Sequence, residues 1–275
     1  MIVVTGATGN VGQPLVRALA EAGAQVTAVS RNISPRQAPA GVRHHRADLA
    51  RPESLTPALD GAAALFLLTS GDFVTAGGDV GDVLEVAKAA GVRRIVLLSS
   101  QGVATGSHPS TLEDPLTRSD LDWTLLRPGG FHSNTLQWSE TIRTRRTVAA
   151  PFGDVALPTV DPVDIAEVAA AVLLGAGHVG KAYVLTGPAP VSPRRQTTLI
   201  GEALGEPVRF VEQSRAEARA QMLRFMPEPV VESTLGILGT PKAAEQQVSP
   251  DVERILGQSP RTFAEWALRN VAAFK

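Results

Sequence analysis

The sequence Met1-Ile-Val-Val-Thr-Gly-Ala-Thr-Gly-Asn-Val-Gly12 at the start of the chain decides the fold. Residues 2–4 form a short β-branched run, which is typical of a strand buried on both faces. A helical pattern follows, with apolar side chains at Val11, Leu15, Leu19 and Ala22. The turn between strand and helix contains three glycines, Gly6, Gly9 and Gly12. This stretch therefore predicts a strand, a glycine-rich turn and a helix.

This glycine-rich turn has the features of a dinucleotide site. Glycine is needed where the chain reverses, where the backbone approaches phosphate oxygens, and where the helix packs closely on the strand. The amides of the first helical turn lack intrahelical partners, and together with the helix dipole they favour an anion. A second strand pattern at 25–30 completes the unit, so we favour a dinucleotide site over a tight turn without a ligand.

The residues after the second strand indicate which dinucleotide is bound. Enzymes that prefer NAD place an Asp or Glu at this point, where the carboxylate accepts from the ribose 2′-hydroxyl and would repel a 2′-phosphate. Here the sequence reads Ser30-Arg31-Asn32, with Arg36 nearby and no acidic residue. A guanidinium matches the geometry and charge of a phosphate. We therefore predict NADP, bound as NADPH, the alternative being that Arg31 is an ordinary surface arginine.

Strand and helix patterns alternate along most of the chain. Further strand patterns lie at 42–48, 62–68, 94–98, 121–126 and 182–186, and the clearest helical patterns lie at 80–90 and 161–174. This alternation predicts an α/β fold with a Rossmann-type, doubly wound parallel sheet. From residue 187 on, short helical patterns are interrupted by prolines. We expect an NADP-binding core at 1–186 and a smaller, mostly helical, substrate-binding lobe at 187–275.

Ligands of such sheets bind beyond the carboxyl ends of the strands. The polar residues expected to meet the glycine turn at these ends are Arg31, Asp48, Thr69, Ser70 and Ser99. Asp48 either accepts a hydrogen bond from the adenine amino group or caps a turn. Asp161 and Asp164 stand at the start of a helical pattern, where we expect capping and dipole interactions rather than a catalytic pair.

The composition argues against several other classes of protein. The 275 residues carry a formal net charge of -1, which provides no field for nucleic acid or an anionic membrane. The chain has no cysteine, and His44 and His45 are strand neighbours that point to opposite faces, so we expect no metal site. The longest apolar run, 62–68, is too short to span a bilayer, and a strand at residue 2 leaves no room for a signal peptide. We predict a cytoplasmic monomer or homodimer with no membrane or nucleic-acid partner.

Several segments together resemble one protein family. They read T-G-A-T-G-N-V-G, V-S-R-N, R-A-D-L, L-D-W-T-L-L-R-P-G-G-F and P-V-D-I-A-E-V-A. Through about residue 190 the chain resembles the NmrA-like, NAD(P)-binding branch of the atypical short-chain dehydrogenase/reductase superfamily. Members of this branch include NADPH-dependent quinone reductases, dye and ketone reductases, and sensor proteins that bind the cofactor and regulate transcription without catalysis.

The resemblance implies a role for each matching residue. The residues that would hold the pyrophosphate are Gly6, Thr8, Gly9, Asn10, Val11 and Gly12. Arg31 would bind the 2′-phosphate, and Thr69 would lie on the ribose side. Asp48 and Leu49 would contact the adenine. The residues that would lie beside the nicotinamide are Pro128, Gly129 and Phe131.

The chain departs from this superfamily at the proton donor. The usual acid is a tyrosine four residues before a lysine, whose charge lowers the tyrosine pKa. The single tyrosine here, Tyr183, is followed four positions later by Gly187 and lies in an apolar strand pattern, so we expect it in the core. NmrA-like reductases often carry a lysine before the sixth strand, where this chain has Asp114. The usual Tyr/Lys relay is therefore excluded.

Two residues are candidate catalytic groups. Ser100 matches the superfamily's serine by its place after the fifth strand, although a hydroxyl there equally suits a turn. His132 follows the expected nicotinamide loop and could bond a substrate oxygen, although a single histidine is more often structural. The other polar side chains expected near the site are Ser99, His108 and Asn134.

These features predict an NADPH-dependent reductase that transfers a hydride to a quinone or to an aromatic, polycyclic ketone. The apolar stretch 230–238, with Phe225 and Met226, would form a wall for a small hydrophobic aromatic substrate. The alternative is a redox-sensing regulatory protein that binds NADP without turnover, which the loss of the Tyr/Lys pair favours.

Overall fold

The structure, a computed structural model, describes residues 1–32, 41–71, 73 and 77–275. The chain divides into two compact units. Unit 1 comprises Met1–Val103, Pro109–Pro128 and Pro162–Val184. Unit 2 comprises Ala104–His108, Gly129–Asp161 and Leu185–Lys275. Unit 2 therefore includes two internal segments that a single division after residue 186 would leave out.

A seven-stranded sheet forms the centre of unit 1. Its strands are β1 (Ile2–Val4), β2 (Val26–Ser30), β3 (Arg43–Arg46), β4 (Ala64–Leu67), β5 (Arg94–Leu98), β6 (Asp122–Pro128) and β8 (Lys181–Leu185), in the order β3-β2-β1-β4-β5-β6-β8. All pairs from β3 to β6 are parallel, with Val3 opposite both Thr27 and Leu65. The strand order reverses between β1 and β4, which is where such sheets bind their ligands.

Helices cover this sheet. They are α1 (Gly12–Glu21), α2 (Thr56–Leu59) after a 3₁₀ turn (Pro52–Leu55), α3 (Val80–Ala89), α4 (Gln101–Thr105), α5 (Asp114–Thr117) and α7 (Pro162–Leu174). The Asp79 side chain caps α3 by accepting from the Gly81 amide at 2.8 Å. Gly91, with a φ of +86°, follows the C-cap of the same helix in a conformation that favours glycine. The predicted alternation is thus confirmed, with element ends shifted by a few residues.

Burial explains why the central strands are apolar runs. Every residue of β1 and β4 is buried, because helices cover both faces of the parallel sheet. By contrast, β3 at the edge carries two arginines and two histidines that are exposed or half-buried. No helix among the described residues is long and apolar enough to cross a membrane.

Unit 2 combines short helices with a two-stranded parallel sheet. The helices are α6 (Ser139–Arg145), α8 (Pro193–Leu204), α9 (Arg215–Met222), α10 (Glu228–Gly239), α11 (Ala243–Gln246), α12 (Asp251–Leu256) and α13 (Phe263–Arg269), with 3₁₀ turns at His132–Trp138 and Val271–Phe274. The sheet pairs β7 (Thr147–Pro151) with β9 (Arg209–Gln213). The sequence predicted the mostly helical character of residues 187–275. It did not predict that β9 of this region pairs with β7, which lies before residue 187.

An aromatic core holds the C-terminal end of unit 2. Phe263, Trp266 and Phe274 pack with apolar residues of α6, β7 and α8. Asp161 is fully buried and forms an ion pair with Arg269 of α13. Asp161 therefore anchors α13, an interaction that the expected capping and dipole role did not include.

Candidate cofactor site

The three glycines of the turn after β1 have three different surroundings. Gly6 has a φ of +62°, a conformation that favours glycine, and a Cβ there would lie 2.8 Å from Leu68 Cδ2. A Cβ on Gly12 would lie 2.1 Å from the Gly6 carbonyl oxygen, so the packing of α1 requires glycine. Among the described residues, a Cβ on Gly9 would meet that oxygen alone, at 3.3 Å. Gly9 is thus the position where the backbone is open to the approach of a ligand.

No side chain that the structure describes caps the start of α1. Its N-cap residue is Val11, which is buried and apolar, and none of the described residues in the first turn is acidic. The surrounding turn is nevertheless fixed, because Thr5 Oγ1 donates to the Leu68 carbonyl at 3.1 Å and the hydroxyls of Thr8 and Ser30 lie 3.0 Å apart. The positive end of the helix dipole is therefore suited to an anion such as a pyrophosphate.

A cavity of about 520 Å³ lies beside the ends of β2 and β3. Its lining residues are Arg31, Asn32, Arg46, Ala47, Asp48, Arg51 and Ser54. The described lining residues provide three guanidinium groups and one carboxylate, which makes this cavity suitable for a phosphate. Arg46 and Arg51 were not predicted, although Arg46 ends β3 and therefore reaches the same sheet edge as Arg31. Arg36 lies outside the described residues.

Asp48 holds the turn that follows β3. Its Oδ1 accepts from the Ala50 amide at 3.1 Å, and its backbone amide and carbonyl bond Ser54 Oγ at 3.0 and 3.1 Å. The turn role of Asp48 is therefore confirmed, while its contact with adenine stays a prediction. Leu49 is half-buried and packs against the core of unit 1.

Two of the predicted hydroxyls form local turns where strands end. Ser70 Oγ accepts from the Phe73 amide at 3.2 Å, and Ser100 Oγ accepts from the Gly102 amide at 3.1 Å. Thr69 is half-buried beside Ser70 at the end of β4. The bond of Ser100 matches its structural alternative, and its catalytic role stays a prediction.

Ser99 belongs to a buried network that the sequence did not indicate. Its hydroxyl donates to Glu113 Oε1 at 2.5 Å, and Arg127 binds the same carboxylate through Nε at 2.9 Å and Nη2 at 2.5 Å. Only 3% of Glu113 is exposed. The hydrogen bond to Glu113 raises the pKa of Arg127. Glu113 lies 14 residues from both partners, a spacing with no local pattern.

Tyr183 and Asp114, the two residues considered for the usual acid pair, each have a side-chain partner. Tyr183 is buried in β8, as predicted, and its hydroxyl lies 2.8 Å from His178 Nδ1. Asp114 forms an exposed ion pair with Arg118 at 3.4 Å. The absence of the superfamily's Tyr/Lys relay stays a prediction.

His132 is enclosed within unit 2. Its ring is 1% exposed and packs edge-on against Phe263 and Trp266, with centroid separations of 5.1 and 6.2 Å. Nδ1 lies 2.9 Å from Thr159 Oγ1. Burial lowers the pKa of His132 to about 4, against a smaller opposing effect of Asp161, so the ring is neutral at neutral pH. These surroundings favour the structural alternative, because the ring is closed off from solvent.

The loop predicted to lie beside the nicotinamide is held by backbone bonds. Pro128 ends β6, and the Gly129 amide donates to the Leu185 carbonyl at 2.9 Å. Phe131 is half-buried and forms a parallel bridge with Val160. The loop is therefore well fixed, while contact between these residues and the cofactor stays a prediction.

These features meet along one edge of the unit 1 sheet. The open Gly9 position, the uncapped α1 and the arginine-lined cavity follow the carboxyl ends of β1, β2 and β3. Their chemistry fits a pyrophosphate and a 2′-phosphate, as NADP carries. Unit 1 is thus a Rossmann-type dinucleotide-binding unit.

Comparison with known proteins identifies the family. The NAD(P)H-binding family matches residues 6–175. All of this chain aligns with 99% of the (4-alkanoyl-5-oxo-2,5-dihydrofuran-3-yl)methyl phosphate reductase of Streptomyces griseus at 36% identity, and with 99% of the NAD(P)H azoreductase of Xenophilus azovorans at 31%. The solved quinone oxidoreductase QOR2 of Escherichia coli, complexed with NADPH, has a TM-score of 0.79 at 27% identity, covering 98% of this chain and 99% of QOR2. The chain belongs to the NAD(P)H-binding family.

Proposed function

We propose that this protein is an NADPH-dependent oxidoreductase that transfers a hydride to a quinone or an aromatic, polycyclic ketone without the usual Tyr/Lys acid. The observation that carries the proposal is the cavity lined by Arg31, Arg46 and Arg51 next to a glycine turn that is open at Gly9. The two relatives that span the whole chain are named reductases, which supports an enzyme over a regulator without turnover.

Each end of the cofactor has a proposed set of partners. The residues proposed to hold the pyrophosphate are Gly6, Thr8, Gly9, Asn10, Val11 and Gly12. Arg31, assisted by Arg46 and Arg51, binds the 2′-phosphate. The residues proposed for the adenine and its ribose are Asp48, Leu49, Thr69 and Ser70. Those proposed for the nicotinamide half are Ser99, Pro128, Gly129 and Phe131. When bound, NADPH supplies the hydride, and the protein has to orient it.

The choice of acceptor follows from the missing acid. Hydride transfer to a carbonyl leaves a negative charge on oxygen, and stabilising that charge is normally the largest task of the enzyme. A quinone spreads the charge over its ring, and an aromatic ketone beside its own phenol donates an internal hydrogen bond. Positioning alone can lower the barrier by roughly 7–11 kcal/mol. Ser100 then adds modest polarisation, while the buried His132 supports the loop.

An apolar surface of unit 2 suits a flat aromatic acceptor. Phe225 is 65% exposed and Val230 is 47% exposed, whereas Val231 and Leu235 are buried against α9. Val230, in the predicted wall at 230–238, and Phe225, just before α10, are therefore apolar side chains that face solvent. Arg219 fixes α9 to α10 through Glu232 at 2.6 Å. We assign the exposed side chains to contact with the acceptor, because large exposed apolar side chains on a fixed frame favour binding.

The direct test is the oxidation of NADPH, followed at 340 nm with a panel of quinones and polycyclic ketones. We expect turnover with these acceptors and little with simple, unactivated ketones. Tight NADPH binding without turnover on any acceptor would contradict the proposal and support the redox-sensing regulator.

A matched pair of variants tests the acceptor surface. Phe225→Ser should raise the KM for the acceptor about tenfold, because an aromatic contact is lost. Leu268→Ser is the control, since Leu268 is equally exposed, at 64%, but lies on α13. Equal effects of the two variants would contradict the assignment of this surface.

A further inference from the structure

We infer that Glu113 is a positioning residue, which fixes the Ser99 hydroxyl as a hydrogen-bond acceptor for the nicotinamide half of the cofactor. The inference rests on the proposed placement of Ser99 at the cofactor. The inference concerns the affinity for NADPH, so it can be tested independently of hydride transfer to any acceptor.

The first step is the protonation of the network. Arg127 is always charged and binds both oxygens of the Glu113 carboxylate, at 2.9 and 2.5 Å, so the carboxylate is ionised. An ionised carboxylate only accepts hydrogen bonds. The 2.5 Å contact between Ser99 Oγ and Glu113 Oε1 therefore holds the serine proton.

The second step concerns whether the Ser99 hydroxyl donates or accepts a hydrogen bond towards a ligand. With its proton directed to Glu113, the hydroxyl offers lone pairs to a ligand. It is thus an acceptor, and it cannot protonate a substrate oxygen while the network is intact. The nicotinamide half of NADPH carries matching donors, namely the ribose hydroxyls and the carboxamide N–H groups.

The neighbouring serine has a different kind of contact. Ser100 Oγ accepts from the Gly102 amide at 3.1 Å, within a local turn. Ser99, by contrast, is bound by a charged side chain 14 residues away. The contact of Ser99 therefore needs an explanation other than turn formation.

The third step explains why this network contains two charged residues, Glu113 and Arg127. The ends of β5 and β6 are already joined by backbone pairing, with Leu98 opposite Leu126 and the Ser99 amide donating to the Leu126 carbonyl at 2.8 Å. A buried ion pair is no better than an apolar contact as a simple brace. A carboxylate does, however, orient a hydroxyl more firmly than a neutral group. The charges of Glu113 and Arg127 are thus explained by the fixed polarity of Ser99.

The experiment compares two ligands across three variants: Ser99→Ala, Glu113→Gln and the double variant. NADPH contains the nicotinamide half, whereas 2′,5′-ADP contains only the adenosine half. Each single substitution should raise the Kd for NADPH about threefold to tenfold, the range expected for one hydrogen bond. The Kd for 2′,5′-ADP should stay within about twofold, and the double variant should bind NADPH no worse than Ser99→Ala.

The control is Asp114→Asn, which removes the exposed ion pair next to Glu113 on the same helix. It should leave both Kd values unchanged. Parallel losses for NADPH and 2′,5′-ADP, or additive losses in the double variant, would show that Glu113 only supports the fold and would overturn the inference. If Glu113→Gln does not fold, Ser99→Ala decides alone, because an unchanged Kd for NADPH in that variant also overturns it. Failure to reduce quinones would refute the proposed function but leave these affinities interpretable.

Discussion

The two ends of the proposed cofactor site are built from different kinds of contact. At the adenosine end, Gly6, Gly9 and Gly12 lie within one turn, and Arg31 follows the next strand directly. At the nicotinamide end, Ser99 is joined to Glu113, a residue 14 positions away in sequence. The first end is a local motif, whereas the second exists only once β5 and β6 have paired.

The difference also concerns charge. The adenosine end presents three arginines to a cavity of about 520 Å³ with one carboxylate, so it favours an anion from solution. The nicotinamide end neutralises its charges internally, because Glu113 and Arg127 form a buried pair. One end should therefore control cofactor affinity and choice, and the other should control orientation.

The largest effect is expected at Gly9. Gly9→Val should weaken NADPH binding by at least about a hundredfold, because a side chain would occupy the approach of the pyrophosphate. The protein should stay folded, since a Cβ there meets, within the described part of the chain, only the Gly6 oxygen at 3.3 Å. Fluorescence titration and thermal unfolding of the variant measure the two properties.

Gly12→Ala is the matched control for this prediction. Its Cβ would lie 2.1 Å from the Gly6 oxygen, so it should lower the free energy of unfolding by about 1–3 kcal/mol or more. If the folded Gly9→Val variant bound NADPH normally, the proposal that the glycine turn binds the pyrophosphate would be refuted.

The next largest effect is expected at Arg31. Arg31→Ala should weaken NADPH binding about tenfold to a hundredfold, because a hydrogen bond to a charged group contributes about 1.5–3 kcal/mol. NADH affinity should be nearly unchanged, since NADH lacks the 2′-phosphate. Arg17→Ala, which removes an exposed arginine from α1, is the control. Equal losses for NADPH and NADH would mean that Arg31 supports the loop instead.

This contrast also explains how much the sequence could predict. The glycine turn, Arg31 and the alternating elements follow from periodicity and turn chemistry, which act over a few residues. Glu113 was not predicted, because its partners Ser99 and Arg127 are set by strand order and not by local sequence. The pair β7–β9 was not predicted for the same reason, since each strand has only five residues and its partner is distant. Arg46 could have been predicted as a cavity residue, because it lies at the end of β3.

A third prediction concerns His132, in the loop that follows the nicotinamide end. Burial lowers the pKa of His132 from 6.5 to about 4. Between pH 6.5 and pH 4 the imidazole is therefore protonated more readily in the unfolded chain than in the folded protein. The neutral ring therefore stabilises the fold fully above pH 6.5, and this stabilisation is lost as the pH falls towards 4. We expect a loss of about 2 kcal/mol between pH 7 and pH 5.

His132→Phe removes the titrating group, so urea unfolding of this variant should show a flatter pH dependence than the unchanged protein. If the stability of both proteins depended on pH to the same extent, a group other than His132 would be taking up the proton. A large fall in kcat without loss of stability would instead return His132 to the catalytic candidates.

The smallest effect is expected at Ser100, and it decides how the nicotinamide end works. If the acceptor disperses its own charge, Ser100→Ala should lower kcat about tenfold or less, because only polarisation is lost. An essential general acid would cost at least roughly a hundredfold. Ser119→Ala is the control, since Ser119 Oγ also serves a local turn, donating to the Leu116 carbonyl at 2.7 Å. A thousandfold fall in kcat with NADPH affinity intact would identify Ser100 as the acid, and the mechanism by positioning alone would be wrong.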